Sequence, residues 1–209
     1  MNYDAVIVAS GKGERAGLGY NKVFYRMKDG KTVLEHAASL FAQDPDCKRI
    51  VVVTNPEDYD RLFQSDKLVV TNGGATRKDS VENGLKMCES DYVFIHDGAR
   101  PFLHKEALRA LKEAVEEKKA AVLGKMAVDT IKQIEDGKIV RTIDRSTIFM
   151  AETPQAFERR LILDCFDRCR EGSFTDDASL AEASGYEVAA VIDAYDNRKL
   201  TKEEDFRDL

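Results

Sequence analysis

The chain has no tryptophan and only three histidines among 209 residues, and its four cysteines, Cys47, Cys88, Cys165 and Cys169, form no C-x-x-C pair. Structural zinc sites and disulfide frameworks need closely spaced thiols or Cys/His clusters, so this spacing predicts reduced thiols and no zinc. Cys165 and Cys169 stand one helical turn apart, the spacing of a packed helix face. Long apolar runs are missing as well. None approaches the roughly 18 residues that span a bilayer, and Met1-Asn2-Tyr3-Asp4 has neither the basic nor the apolar region of a secretory leader, which predicts a cytoplasmic location and no membrane partner. Net positive charge is also absent. A formal charge of −6 argues against a general nucleic-acid binder, which must displace counterions from the phosphate backbone.

What is present is a chain with 43% apolar residues, enough to bury a sizeable core in one α/β domain. Its most informative stretch runs from Asp4 to Lys22. An apolar, β-branched run from Ala5 to Ala9 breaks into a loop carrying Gly11, Gly13, Gly17 and Gly19, with Lys12, Arg15 and Lys22 interleaved. Glycines let backbone amides converge on a bulky anion, and Lys and Arg supply full charges, so the loop predicts a phosphate ligand. The competing reading is a solvated surface turn.

Strands and helices alternate thereafter. Thr32 and Glu35 have capping-box spacing before an amphipathic helix that ends near Asp44-Pro45. Arg49–Thr54 reads as a buried strand, Glu57–Phe63 as a short helix, and Leu68-Val69-Val70 as a strand that turns at Asn72-Gly73-Gly74. Asp79 and Glu82 suggest another helix start, followed by the strand Tyr92–His96, a helix over Lys105–Lys118 and a strand over Ala120–Leu123. Thr153-Pro154-Gln155 reads as the start of a helix carrying Phe157, Leu161, Leu163 and Phe166. Thr175-Asp176-Asp177 caps the next one, Gly185 ends it, Val188–Ile192 is a strand, and Thr201 with Glu204 suggests a last short helix. The order predicts one domain over 1–209, a mostly parallel twisted sheet flanked by helices. In such sheets ligands sit at the carboxyl ends of strands, where Arg15, Gly74 and Asp97 all fall.

One segment breaks the alternation. Residues 128–134 and 139–145 alternate in polarity around Asp136-Gly137, the signature of a β-hairpin. An isolated hairpin is marginal in water, so an arm over about 128–146 should pack on the parent sheet or on a second subunit.

Six motifs, in order, carry a resemblance: Ala9-Ser10-Gly11-Lys12-Gly13-Glu14-Arg15 with Lys22; Gly73-Gly74-Ala75-Thr76-Arg77 with Ser80; His96-Asp97-Gly98-Ala99-Arg100-Pro101-Phe102; Asp129-Thr130-Ile131-Lys132; Thr153-Pro154-Gln155; and Asn197-Arg198-Lys199-Leu200-Thr201. Together they resemble the motif set of 2-C-methyl-D-erythritol 4-phosphate cytidylyltransferase. The resemblance implies a Rossmann-like nucleotidyltransferase fold with a β-hairpin arm. It also implies transfer of CMP from CTP to methylerythritol phosphate with release of pyrophosphate, in the non-mevalonate isoprenoid route, with Mg²⁺ and as a homodimer. By the same resemblance, Arg15 and Lys22 stabilise charge at the triphosphate, and Ala9, Ser10, Gly11 and Gly13 form its cradle. Gly74 and Ser80 read cytosine, and Asp97 serves the nucleotide sugar and the metal. Thr130, Arg145, Thr153 and Lys199 hold the sugar phosphate, with Thr130 and Arg145 reaching in from the neighbouring subunit.

Three positions depart from the family pattern: Ser10, where a small apolar residue or Gly is usual, Ala75, where an acidic residue is frequent, and Asp193, where Gly is common. The alternatives weighed are a ribitol 5-phosphate cytidylyltransferase, an NAD-binding Rossmann protein and a nucleotide sensor without turnover. The spacing G-x-G-x-x-x-G with Arg15 inside the loop disfavours NAD.

Overall fold

A computed structural model describes residues 1–11, 13, 16–207 and 209. Arg15, Lys12 and Glu14 of the glycine loop lie outside the described residues. The elements in chain order are β1 (Tyr3–Val8), α1 (Val33–Gln43), β2 (Cys47–Thr54), β3 (Leu68–Asn72), α2 (Arg77–Leu85), β4 (Tyr92–Asp97) and α3 (Lys105–Lys118). They are followed by β5 (Ala120–Met126), β6 (Ile131–Glu135), β7 (Lys138–Ile143), β8 (Phe149–Glu158), α4 (Arg159–Arg168), α5 (Asp177–Ala183) and β9 (Ala189–Ile192). Seven strands form one sheet in the order β3-β2-β1-β4-β8-β5-β9, and β6 and β7 pair separately.

Because successive side chains in a strand face opposite ways, β1 serves two cores. Ala5 and Ile7 pack with Ile50, Val52 and Phe94 against Leu34 and Phe41 of α1 and Leu111 of α3. Val6, with Val51, Val53 and Ile95, packs against Val81 and Leu85 of α2, Ile162 and Cys165 of α4 and Leu180 of α5. Helices therefore cover both faces. β1 pairs in parallel with β2 on one side and β4 on the other. The chain thus leaves β1 first toward β2 and β3 and later toward β4, which opens a crevice at the carboxyl ends of β1 and β4.

The parallel order is interrupted at β8, which runs antiparallel to both β4 and β5. Here the expectation of a helix starting at Thr153-Pro154-Gln155 is wrong: these residues are inside β8, and α4 begins six residues later, at Arg159. Pairing on both edges buries Pro154 to Phe157, which overrides the local turn signal. Pro154 is accommodated because the ladder to β4 reaches only Gln155, and the ladder to β5 shifts register between Val122 and Gly124, so no partner needs its missing N–H.

The start of α2 lies one turn earlier than Asp79 and Glu82 suggest. Thr76 is the N-cap: its Oγ1 accepts from the Asp79 amide at 3.1 Å and the Asp79 carboxylate accepts from the Thr76 amide at 3.0 Å. The predicted helices at 57–63 and after Thr201 are short 3₁₀ turns, Pro56–Arg61 and Glu203–Phe206. The hairpin forms as expected, with Asp136 and Gly137 both at positive φ, 49° and 76°, as a two-residue turn between twisted strands requires.

Candidate active site

The crevice at the switch between β1 and β4 holds a cleft of about 790 Å³. Ala9, Ser10, Gly11, Gly13, Lys22, Gly74, Ser80, Asp97 and Lys199 all line it. They come from five separate segments, delivered by strand ends and the loops that follow them, except Ser80, which is in the first turns of α2. Gly13, at φ +70°, places its backbone so close to Lys22 that an added Cβ would lie 3.0 Å from the Lys22 nitrogen. Only glycine permits both that approach and that φ.

Asp97 ends β4 and is almost fully buried, 8% exposed. Its carboxylate accepts from Lys199 Nζ at 2.7 Å, with Arg77 Nε at 3.6 Å and Arg100 Nε at 3.8 Å. Burial pushes its pKa up, but the three cations outweigh burial and hold it at about 2. The carboxylate is thus ionised throughout the neutral range. Arg100 also donates to the Asn197 carbonyl at 2.7 Å, and the Leu200 amide donates to the Ala99 carbonyl at 2.9 Å. Those bonds lay the segment 197–200 along the loop after β4 and bring Lys199 to Asp97.

Arg77 is fixed from the other side. Its guanidinium grips both oxygens of Asp177, at 3.1 and 2.9 Å, a fork-on-carboxylate geometry that holds orientation as well as charge. Asp177 is 3% exposed, and burial pushes its pKa up against the pull of Arg77. Gln155 Oε1 accepts from the Asp177 and Ala178 amides at 3.1 and 2.9 Å, so β8 anchors the start of α5 and, through it, Arg77.

A hydrogen-bond chain runs beneath the site. The Asp97 amide donates to Thr153 Oγ1 at 3.0 Å, and Thr153 Oγ1 lies 3.0 Å from His96 Nδ1. On its other side His96 Nε2 lies 3.0 Å from the Arg100 carbonyl. That carbonyl can only accept, which assigns the ring proton to Nε2 and makes Nδ1 the acceptor for the Thr153 hydroxyl. Burial pushes the His96 pKa down to about 4, against the pull of its bond to Arg100.

Thr153 itself is 5% exposed, its hydroxyl is engaged by Asp97 and His96, and it does not line the cleft. Thr130 and Arg145 are on the arm and are exposed; Arg145 bonds the Val128 carbonyl. The structure therefore brings nine of the expected site residues together in one chain and leaves Thr153, Thr130 and Arg145 off the cleft lining, Thr153 buried beneath Asp97 and the other two on the exposed arm. Among the departures, Ser10 Oγ lies 3.1 Å from Ser80 Oγ, and Ala75 lines the cleft. Asp193 is buried, and its carboxylate accepts from the Tyr195 amide at 2.8 Å.

The sequence motifs give Arg77 and Arg100 no role of their own, Asn21 falls in the glycine-loop stretch without a signal, and Asp177 reads only as part of a helix cap. The Arg77–Asp177 pair spans 100 residues, and no local pattern signals it. Among the described residues no cluster of three or more His, Cys, Asp or Glu could hold a metal. Among the described residues, Asp97 and Glu57 are the carboxylates lining the cleft. That donor set fits Mg²⁺ arriving with a triphosphate, since Mg²⁺ takes one or two carboxylates together with substrate phosphates rather than an all-protein cage.

A sequence profile of the 2-C-methyl-D-erythritol 4-phosphate cytidylyltransferase family matches residues 3–208. The chain belongs to this family. A relative of that name from Bacillus licheniformis is 37% identical over 215 residues, covering 98% of this chain and 93% of the relative. The crystal structure of the Francisella tularensis 2-C-methyl-D-erythritol 4-phosphate cytidylyltransferase superposes with a TM-score of 0.84 at 31% identity, covering 99% of this chain and 97% of that one. That of the Thermus thermophilus enzyme superposes with a TM-score of 0.81 at 28% identity, covering 99% and 96%. Family membership removes the NAD-binding reading, and no described helix is long and apolar enough to cross a membrane.

The lowered His96 pKa makes acid stability a test of this cytidylyltransferase site. The unfolded chain binds a proton at His96 near the ordinary value of 6.5 and the folded chain only near 4, so stability is full above about pH 6.5 and falls as pH drops toward 4. The histidine contribution is on the order of 3 kcal/mol. Replacing His96 by Gln, which cannot protonate, should flatten urea-measured stability over that window; an unchanged slope would refute a buried neutral His96.

Proposed function

We propose that this protein transfers CMP from CTP to 2-C-methyl-D-erythritol 4-phosphate, giving 4-diphosphocytidyl-2-C-methyl-D-erythritol and pyrophosphate. The observation that carries this reading is the convergence of Gly11, Gly13, Lys22, Asp97 and Lys199 on one cleft in a chain that matches its family end to end. A phosphate oxygen of the sugar alcohol attacks the α-phosphorus of CTP; the new O–P bond forms as the bond to the β-phosphate oxygen breaks and pyrophosphate leaves. Negative charge grows on the equatorial and leaving oxygens, so the chemistry needs positioned cations rather than a side-chain nucleophile.

Lys22 supplies such a cation beside the glycine loop, and Arg15, outside the described residues, is assigned the same task. Amides at Gly11 and Gly13 cradle the triphosphate. Gly74 and Ser80 face the base: Ser80 Oγ accepts from the Gly74 amide at 3.0 Å and donates to the Thr76 carbonyl at 2.9 Å, which fixes the base-reading corner. Asp97 takes the ribose side, Lys199 the phosphate of the second substrate. Bound Mg²⁺ would add charge neutralisation at the phosphates, with Asp97 its protein ligand. A cytoplasmic location belongs to the same reading.

We assign the arm to a homodimer in which Thr130, Arg145 and the partner's copies of these residues complete the sugar-phosphate sites. Val128, Ile134 and Ile139 are 74%, 65% and 66% exposed, an apolar surface that a two-stranded hairpin alone does not justify. Thr153 joins this proposal through Asp97, which its hydroxyl supports.

The assay is pyrophosphate release from CTP with methylerythritol phosphate or ribitol 5-phosphate. Turnover should require methylerythritol phosphate and fall about 100- to 1000-fold in Lys22→Ala with CTP binding retained, the loss of about 3–4 kcal/mol expected for one preorganised donor. Turnover with ribitol 5-phosphate alone would sink the substrate assignment. Sedimentation tests the arm: Ile134→Asp with Ile139→Asp should yield a monomer with little activity, whereas a fully active wild-type monomer rules out a shared site.

A further inference from the structure

Asn21 is the residue immediately before Lys22, and it is buried, 8% exposed. Its side-chain amide does three things at once. Nδ2 donates to the Ala9 carbonyl at 2.6 Å and reaches Asp58 Oδ2 at 3.4 Å, while Oδ1 accepts from the Val23 amide at 3.4 Å. The last contact is ordinary capping of the 3₁₀ turn Lys22–Phe24. The first two are not needed for a cap. They tie the turn that carries Lys22 to the residue where β1 becomes the glycine loop, and to a third segment, the 3₁₀ turn Pro56–Arg61.

That third segment is itself braced. Asp58 is 5% exposed, and its Oδ1 accepts from Arg61 Nη1 at 3.1 Å. The Arg61 guanidinium lies over the Phe24 ring, 4.2 Å from its centroid, so the brace returns to the same 3₁₀ turn. Asn55 Nδ2 fastens the next loop carbonyl, that of Ser10, at 3.2 Å. In a planar trans peptide the N–H points away from the preceding carbonyl. Holding the Ala9 and Ser10 carbonyls therefore sets the directions of the Ser10 and Gly11 amides. One buried amide thus references Lys22 to the phosphate-cradling backbone.

We propose that Asn21 is a positioning residue for nucleotidyl transfer: through its bonds to Ala9 and Asp58 it sets the place of Lys22 relative to the glycine loop. The inference rests on the assignment of Lys22 to the transition state. A displacement on the order of an ångström in a charge-stabilising group lowers rate far more than it lowers ground-state affinity, so the effect belongs in kcat.

The test is a double-mutant cycle on the full chain, with melting temperatures recorded for every variant. Asn21→Ser keeps an oxygen for the cap and loses both other bonds. It should lower kcat about 10- to 100-fold with less than about a threefold change in KM for CTP. In a Lys22→Ala background the same change should alter kcat by less than about twofold, because the group it positions is gone. Asp58→Ala should repeat the pattern more weakly, and it decides the matter if the Asn21 variant fails to fold. Losses that multiply with Lys22→Ala, losses confined to KM, or wild-type kcat in either strut variant would overturn the proposal. Wild-type kcat in Lys22→Ala alone would instead remove the Lys22 assignment on which it stands.

Discussion

The ion pair between Asp97 and Lys199, 2.7 Å apart at the end of β4, is the contact on which the site depends. A carboxylate this deeply buried is unfavourable without compensation, because desolvation penalises its charged form. Three cations compensate here, and each comes from a different part of the chain: Lys199 from the segment after β9, Arg77 from the first turn of α2, and Arg100 from the loop after β4. Satisfying one charge therefore pins four segments together. The same requirement explains why Asp177, itself buried, grips Arg77, and why Gln155 holds the first amides of α5.

That local demand fits the architecture. A sheet whose order reverses direction between β1 and β4 opens a crevice there, and Val8 and Asp97 are register partners across it. Glycine-loop amides enter from β1, Asp97 from β4 and Gly74 from the turn after β3. Antiparallel β8 then slots beside β4 and carries Thr153 under Asp97, with the arm projecting just before it. The C-terminal stretch closes the circuit: Leu200 and Phe206 are buried with Ala16 and Val33, so the segment that delivers Lys199 is packed against the foot of the glycine loop.

Much of this was legible in the residues because it is local. Thr32 and Glu35 announced α1, and their reciprocal bonds, 3.1 and 2.6 Å, are there. Asp136-Gly137 announced the hairpin, and the glycine loop announced the cleft. What was not legible is what tertiary contacts decide. Thr153-Pro154-Gln155 reads as a helix start until β4 and β5 flank it, and Asp79 reads as an N-cap until its role as the third residue of a box headed by Thr76 is visible. Asp177 looks like a capping residue because its partner Arg77 is 100 positions away. Asn21 looks like loop filler because its partners, Ala9 and Asp58, belong to segments that meet it only in the fold.

The central claim is that clustered cations keep Asp97 ionised, and it can be measured directly. A carbon-detected NMR titration of the Asp97 carboxyl in the protein without nucleotide should find it still ionised at about pH 3.5, where an ordinary aspartate is more than half protonated, because its own midpoint is held at about 2. A midpoint at about 4 or above would contradict the account.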